Sequence, residues 1–504
     1  MKDNGNFALN QKLQKLREFC DKPELEKSTN LPFAKQSHRG EDLKHRSFAL
    51  SRVQERLYFL QKLFPKSAGY NVSLVIECNG ILDFERWQDA FRRLLSNRPS
   101  LCTGYYKNAQ NNVVCRYDKH VQLDRHITPW DEHVNAIESH ANTLFHVDSD
   151  ALFKATIIEV CDREELFFVS LVGHHSIIDG ESINIVTAQL FDCYCVHPGI
   201  QSSDADKAGT FVEWEKQVVE KKRAKSAKYW ASYLENPAKE HLFLPFINYH
   251  SEPSESGIGE CYTFRFSREI SDYIDLICQK ARTTPFVVLL AALMILVNRY
   301  ARQRYVSFGV PINNRVEAGL EGVVGCFVNT VVLCHDFSQE ASFLRLVSKV
   351  QDDLLKAYEH QNYPFEKIVD DLELERVAGH HPIYQIMASF FQFSDFNLEA
   401  EGIQARRYKL KRIGAKLDLD FYFSRSDDVY ECDLIYDSRR ISKADIEQIY
   451  TNYSSLCHNL FQSPDKNIAT VAVPQCSLFD SVFCSWNRPV PETIDGTIFG
   501  RFEA

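Results

Sequence analysis

Leu166-Phe167-Phe168-Val169-Ser170-Leu171-Val172-Gly173-His174-His175-Ser176-Ile177-Ile178-Asp179-Gly180 is the stretch from which the fold is read. Its opening run, Leu166 to Val172, is apolar, β-rich and too short for a typical helix, so it predicts a buried strand that delivers Gly-His-His at its end. Beyond Gly180, the apolar residues Ile183, Val186 and Leu190 return at helical spacing, with Ser182 placed to cap the first turn. The two histidines therefore stand on a strand-to-helix loop. Side chains alternate faces along a strand, so one histidine faces a cleft while its neighbour packs inward. His175 is nearer the loop and is the candidate reactive group. An imidazole of near-neutral pKa there accepts a proton from an amine or hydroxyl nucleophile, or holds the nucleophile by a hydrogen bond as it attacks. Asp179 either orients a histidine or pairs with an arginine that braces the loop, and the brace is the preferred reading. Gly180 is expected to take backbone angles that a side chain would penalise.

The surrounding chain reads as a two-lobed α/β protein of the α+β sandwich kind. At 504 residues, 44% hydrophobic and 25% charged, it exceeds one compact core and is too apolar to be disordered. Residues 1–48 are polar, with Leu9, Leu13 and Leu16 at helical spacing, and read as a tail or a docking segment. The first lobe is assigned to 49–225 and the second to 226–475. The polar stretch Gln201 to Gly209 and a Lys-rich helix over 213–229 lie between their cores. Strands are predicted at Val72–Glu77, Tyr305–Pro311, Tyr384–Phe391, Asp418–Phe423 and Val429–Tyr436, and helices at Phe84–Leu95, Ile270–Ala281, Pro285–Tyr300 and Lys443–Leu460. Residues 476–504 read as a linker.

Composition narrows the function classes. Lys and Arg number 58 against 68 Asp and Glu, a net charge of −10, which disfavours a phosphate-binding groove for nucleic acid. The longest apolar run, Phe286 to Val297, falls short of the ~20 residues needed to span a bilayer. The 15 cysteines lack C-x-x-C spacing and the N-terminus lacks a signal pattern, so reduced thiols and a cytoplasmic location are expected. Neither a Walker-type phosphate loop nor H-E-x-x-H or Cys-rich metal spacing occurs, and no metal is assigned. A Ser-His-Asp hydrolase lacks its G-x-S-x-G elbow.

Several ordered segments resemble the condensation domains of nonribosomal peptide synthetases. Ser51-Arg52-Val53-Gln54-Glu55-Arg56-Leu57-Tyr58-Phe59-Leu60 is similar to the family's opening S-x-A-Q-x-R-L-W-F-L, and His174 to Gly180 match H-H-x-x-x-D-G. Gly309 to Arg315 precede Val324-Gly325-Cys326-Phe327-Val328-Asn329-Thr330, which resembles G-x-F-V-N-T, and His360 to Glu366 resemble H-Q-D-Y-P-F-E.

The resemblance implies two lobes like chloramphenicol acetyltransferase, meeting in a V with a central tunnel and the histidine motif at its middle. It implies amide formation: the amine of an aminoacyl thioester on one peptidyl carrier protein attacks an acyl or peptidyl thioester on another. Carried over, His174 and His175 are the histidine pair with His175 catalytic, Asp179 the structural Asp, and Gly180 the residue that gives the nucleophile room. Asn329 and Thr330 are assigned to the pantetheine arm or substrate, as against merely closing a turn. No cofactor is expected to be bound by the domain itself, because the substrates arrive on the phosphopantetheine of donor and acceptor carriers. The region from Trp486 onward resembles the approach to an adenylation domain, and a monomer is expected. Because Met1 lies close before the first motif, the donor carrier is expected to be a separate protein, serving either a starter or an elongation step.

One segment departs from the family. Where relatives have R-H-E-x-L-R-T, this chain has Asn97 to Thr103, so Asn97 and Cys102 occupy the usual arginine positions and leave Arg98 or Arg315 as partner for Asp179. The continuation Glu181-Ser182-Ile183-Asn184 favours ordinary condensation over epimerising relatives, and the H-H-x-x-x-D-G motif favours it over heterocyclising relatives, which carry D-x-x-x-x-D in its place. The rival readings are a coenzyme A-dependent acyltransferase and a noncatalytic module that docks carrier proteins. Tyr58 and Phe59 are expected in the core, and Glu366 is expected to be structural.

Overall fold

The computed structural model describes residues 47–195, 224–249, 251, 257–315, 320–338, 342–374, 381–391, 398–400 and 402–471. The tail, the Gln201–Gly209 stretch, most of the Lys-rich segment and the C-terminal linker lie outside the described residues. Two large mixed sheets organise the rest, and Phe48–Ala49, Val113–Arg116 and Gly104–Lys107 form a third, small one. The first runs, edge to edge, Leu398–Ala400, Ile403–Tyr408, Asn71–Asn79, Leu166–His174, Phe153–Val160 and Leu123–Thr128. The second runs Asn329–Asp336, Tyr305–Ile312, Ile386–Phe390, Leu419–Ser426, Val429–Tyr436, Ile258–Arg265 and Arg412–Gly414.

Local sequence explains the covering helices. In Phe84–Asn97, Asp83 accepts a hydrogen bond from the Arg86 amide, and Trp87, Ala90, Phe91 and Leu94 line one face. That face meets the helix Gly180–Cys195, where the Trp87 ring stacks on Tyr194 at 4.4 Å and meets Phe191 edge-on at 5.1 Å. Pro285–Ala301 is apolar around nearly its whole circumference and is buried accordingly, packed among Arg268–Ala281, Phe343–Glu359 and Lys443–Gln462. No single described helix is long and apolar enough to cross a membrane.

Two sequence expectations are corrected here. The lobe assigned to 226–475 is not self-contained: Ile403–Tyr408 crosses to pair antiparallel with Asn71–Asn79, and the chain then returns through Arg412–Gly414 to the edge of the second sheet. The crossing adds Ile403 and Ala405 to the first core, and nothing in their local sequence distinguishes one sheet from the other. Phe59 is 64% exposed while Tyr58 is 4% exposed, because the buried face of Arg52–Leu63 carries Val53, Leu57, Tyr58 and Gln61.

Candidate active site

The strand Leu166–His174 lies between Asn71–Asn79 and Phe153–Val160, with His174 opposite Asn71 and Gly173 opposite Phe153. Its exit is tightly set. The His174 amide donates to the Leu152 carbonyl and the His175 amide to the Tyr70 carbonyl, both at 2.8 Å. A Cβ at Gly173 would lie 2.5 Å from Ile178 Cγ2, so the loop can fold back over the strand end only because this residue has no side chain.

The two histidines separate as alternation requires. His174 is buried, with Nδ1 2.7 Å from the Ser176 hydroxyl, Nε2 3.2 Å from Gln61 Oε1, and its ring edge-on to Phe145. Burial, then the charge of Lys416, lowers its pKa to about 3. His174, grouped with the catalytic residues on sequence, is therefore a packed neutral ring with both nitrogens occupied. His175 is partly exposed. Its Nδ1 lies 3.9 Å from the Cys326 thiol, and its pKa is lowered by burial and by Lys416. The Cys326 thiol is itself driven up by burial, so it stays protonated.

Asp179 braces the loop through Arg315. Arg315 Nη1 donates to Asp179 Oδ2 and Nη2 to Oδ1, each at 2.9 Å, with the two side chains 2% and 3% exposed. The Ser182 amide donates to Asp179 Oδ1 at 2.8 Å and the Phe327 amide to Oδ2 at 3.0 Å. Burial alone would raise this carboxyl, but the Arg315 cation and these donors outweigh it and hold the pKa below the usual value. Of the two arginines left by the departures at Asn97 and Cys102, Arg98 instead donates from Nε to Gln189 Oε1.

Asp179, not Ser182, caps the helix, since its carbonyl accepts from the Ile183 amide and its carboxylate from the Ser182 amide. The Ser182 hydroxyl is spent between Arg315 Nη2 at 2.7 Å and the Gly325 backbone. Gly180 has no left-handed angle to relieve, contrary to expectation. Its value is spatial: among the described residues a Cβ there would meet only the Phe391 ring, at 4.0 Å, which leaves space before the helix.

The other motifs converge on this loop. Gln54 Nε2 donates to the Ser176 carbonyl at 3.0 Å and Arg56 pairs with Glu366 at 3.0 Å, tying the first helix to the histidine loop and to the start of Phe365–Asp371. Asn329, assigned to the pantetheine arm or substrate, has no polar atom to spare. Its Nδ2 donates to the Gln361 and Tyr363 carbonyls and its Oδ1 accepts from the Phe365 amide. It is a staple under the Tyr363-Pro364-Phe365 turn, and Thr330 beside it is only partly buried. Sequence reasoning did not single out Gln61 or Lys416, and it named Cys326 only as a motif position without a role. Their spacing to the histidines carries no periodic signal, and only the assembled fold brings them near.

The chain is similar to several known proteins. The family model described as Condensation domain matches residues 44–476. Tyrocidine synthase 3 of Brevibacillus parabrevis is 26% identical over 430 residues, 84% of this chain but 6% of that protein, so the chain spans a small part of such relatives. A four-domain nonribosomal peptide synthetase, solved bound to AMP and glycine, superposes with a TM-score of 0.77 at 16% identity over 87% of this chain and 35% of that one. The first condensation domain of the calcium-dependent antibiotic synthetase, solved with a substrate analogue, gives 0.71 at 15% identity over 86% of this chain and all of that one. These likenesses show the fold, two acetyltransferase-like halves of mixed sheet and helix.

Proposed function

We propose, from the premise that this chain belongs to the condensation-domain family, that it joins a carrier-bound acyl or peptidyl thioester to the amine of a carrier-bound aminoacyl thioester. The observation that carries the reading is His175: a partly exposed imidazole at a fixed strand end, beside the open space before Gly180. In the reaction the amine nitrogen bonds to the thioester carbonyl carbon, the carbon–sulfur bond breaks, and the pantetheine thiol leaves with a proton. A thioester is already activated, so holding amine and carbonyl at attack distance supplies much of the rate and needs no covalent intermediate.

His175 suits a holding role. Burial and the Lys416 charge disfavour imidazolium, so the ring stays neutral, accepts the amine hydrogen bond and passes a proton on rather than storing it. Asp179 and Arg315 act at one remove, by fixing the loop that carries the ring. Within this reading the domain receives donor and acceptor carrier proteins, acts with an adenylation domain, and works as a cytoplasmic monomer and acyltransferase. The substrates remain on the carriers, and the domain binds no cofactor of its own.

The test is single-turnover condensation with both carriers preloaded, comparing wild type with His175→Ala. A fall of about 10²- to 10⁴-fold is expected for loss of such a group. An unchanged rate would remove His175 from the reaction and leave scaffolding or positioning by other groups, and turnover of acyl-coenzyme A in preference to carrier thioesters would replace condensation with the free-cofactor acyltransfer reading.

A further inference from the structure

The strand Leu419–Ser426 alternates in character, with Leu419, Phe421 and Phe423 in the large apolar core and Asp420, Tyr422 and Ser424 on its other face. That other face approaches the histidine loop. The Tyr422 ring stacks on Phe391 at 5.6 Å, and the same Phe391 ring is what a side chain at Gly180 would meet. The Tyr422 hydroxyl donates to Asp420 Oδ2 at 2.7 Å, whereas Asp420 Oδ1 is buried with no hydrogen-bond partner among the described residues. On the neighbouring parallel strand Ser389 pairs with Tyr422, and its hydroxyl is likewise buried and unpartnered. Asp420 is 4% and Ser389 5% exposed. Two unmet polar atoms on one face are costly, since each forfeits its solvation without return. Lys416, four residues before Asp420, contributes an attractive charge but makes no ion pair with it within 4.0 Å.

We propose that Asp420, with Ser389 on the same sheet face, is a substrate-recognition site that takes a hydrogen-bond-donating side chain, a primary amine above all, of the amino acid presented to His175. The inference rests on the condensation reading for its substrate class. A bound amine or hydroxyl supplies the partner that Asp420 Oδ1 lacks, and an apolar side chain of the same length leaves it unmet. Discrimination arises from that difference, because a site built for a donor rejects the analogue lacking it more strongly than an apolar pocket rejects an extra methylene. Asp420 acts here as a specificity residue and takes no part in the bond exchange.

The experiment measures binding of non-hydrolysable aminopantetheine amides carrying ornithine, 5-hydroxynorvaline or norleucine, each with a free and an acetylated α-amine, to wild type, Asp420→Asn and Asp420→Val. Wild type is expected to bind the ornithine probe roughly 10- to 100-fold more tightly than norleucine, with the hydroxyl probe between them, in at least one α-amine form. Asp420→Val is expected to reverse the order and Asp420→Asn to compress it, with folding checked by circular dichroism. Equal affinities in wild type for all three probes, or an unchanged ratio in both variants, would overturn the proposal. Condensation turnover is measured separately on wild type: its absence would defeat the condensation reading, while the binding ratios would still judge Asp420.

Discussion

Replacing Arg315 with Ala would remove the cation that joins the histidine loop to the second sheet. In the wild type the guanidinium makes two bonds to Asp179 and further ones to the Ser182 hydroxyl and the Val323 carbonyl, all buried. Breaking a buried pair from one side costs about 3–5 kcal/mol, because the other charge is left without its counter-ion. Asp179 would keep the Ser182 and Phe327 amides, which places the expected cost near the lower end, at about 3 kcal/mol. Arg315→Lys would keep the charge but lose the fork, at roughly 1–2 kcal/mol. The assay is urea denaturation of wild type, Arg315→Ala, Asp179→Ala and the double variant, closed as a thermodynamic cycle. Segmental hydrogen exchange over Ile183–Phe191 and Leu289–Leu296 would report each core separately. The double variant is expected to cost less than the sum of the singles by about 2 kcal/mol or more. Additivity within ~0.5 kcal/mol, or a midpoint for Arg315→Ala equal to wild type, would refute the brace.

Asn329→Ala removes one acceptor and two donor bonds from the backbone of residues 361–365, and a loss of roughly 2–3 kcal/mol in denaturant stability is expected, with any fall in condensation tracking the loss of fold. Gly309→Val would place a Cβ 2.5 Å from the buried Tyr384 ring, and overpacking there should cost at least ~1–3 kcal/mol and lower the melting temperature. Burial pushes the Asp420 carboxyl up to about 6, against the hydrogen bond from Tyr422 and the Lys416 charge. The native state therefore holds this proton more tightly than the unfolded chain, so the stability it contributes is present in acid and is lost as pH rises from about 4 through about 6. Asp420→Asn should flatten that slope by up to roughly 2–3 kcal/mol in pH-dependent melting, leaving the part due to Asp418, also raised to about 6 by burial against Arg440.

Much of the site was legible because its determinants are local. An apolar run ending in Gly-His-His, followed by helical spacing from Ile183, needs only neighbouring residues to become strand, loop and helix. The alternation of side chains along that strand separates His174 from His175 without knowledge of the rest of the chain. The helices Phe84–Asn97 and Pro285–Ala301 were legible for the same reason, one by its amphipathic stripe and the other by its unbroken apolarity. What tertiary structure alone decided was partnership. Arg315 and Asp179 are 136 positions apart, and neither carries a mark that selects it over Arg98. The fate of Asn329 as a backbone staple, the exposure of Phe59, the crossing of Ile403–Tyr408 to the first sheet and the unmet carboxylate of Asp420 all depend on which distant surface each residue faces. Backbone preference and periodicity act over a few residues, whereas burial and charge pairing are settled only when segments far apart in the chain are packed against one another.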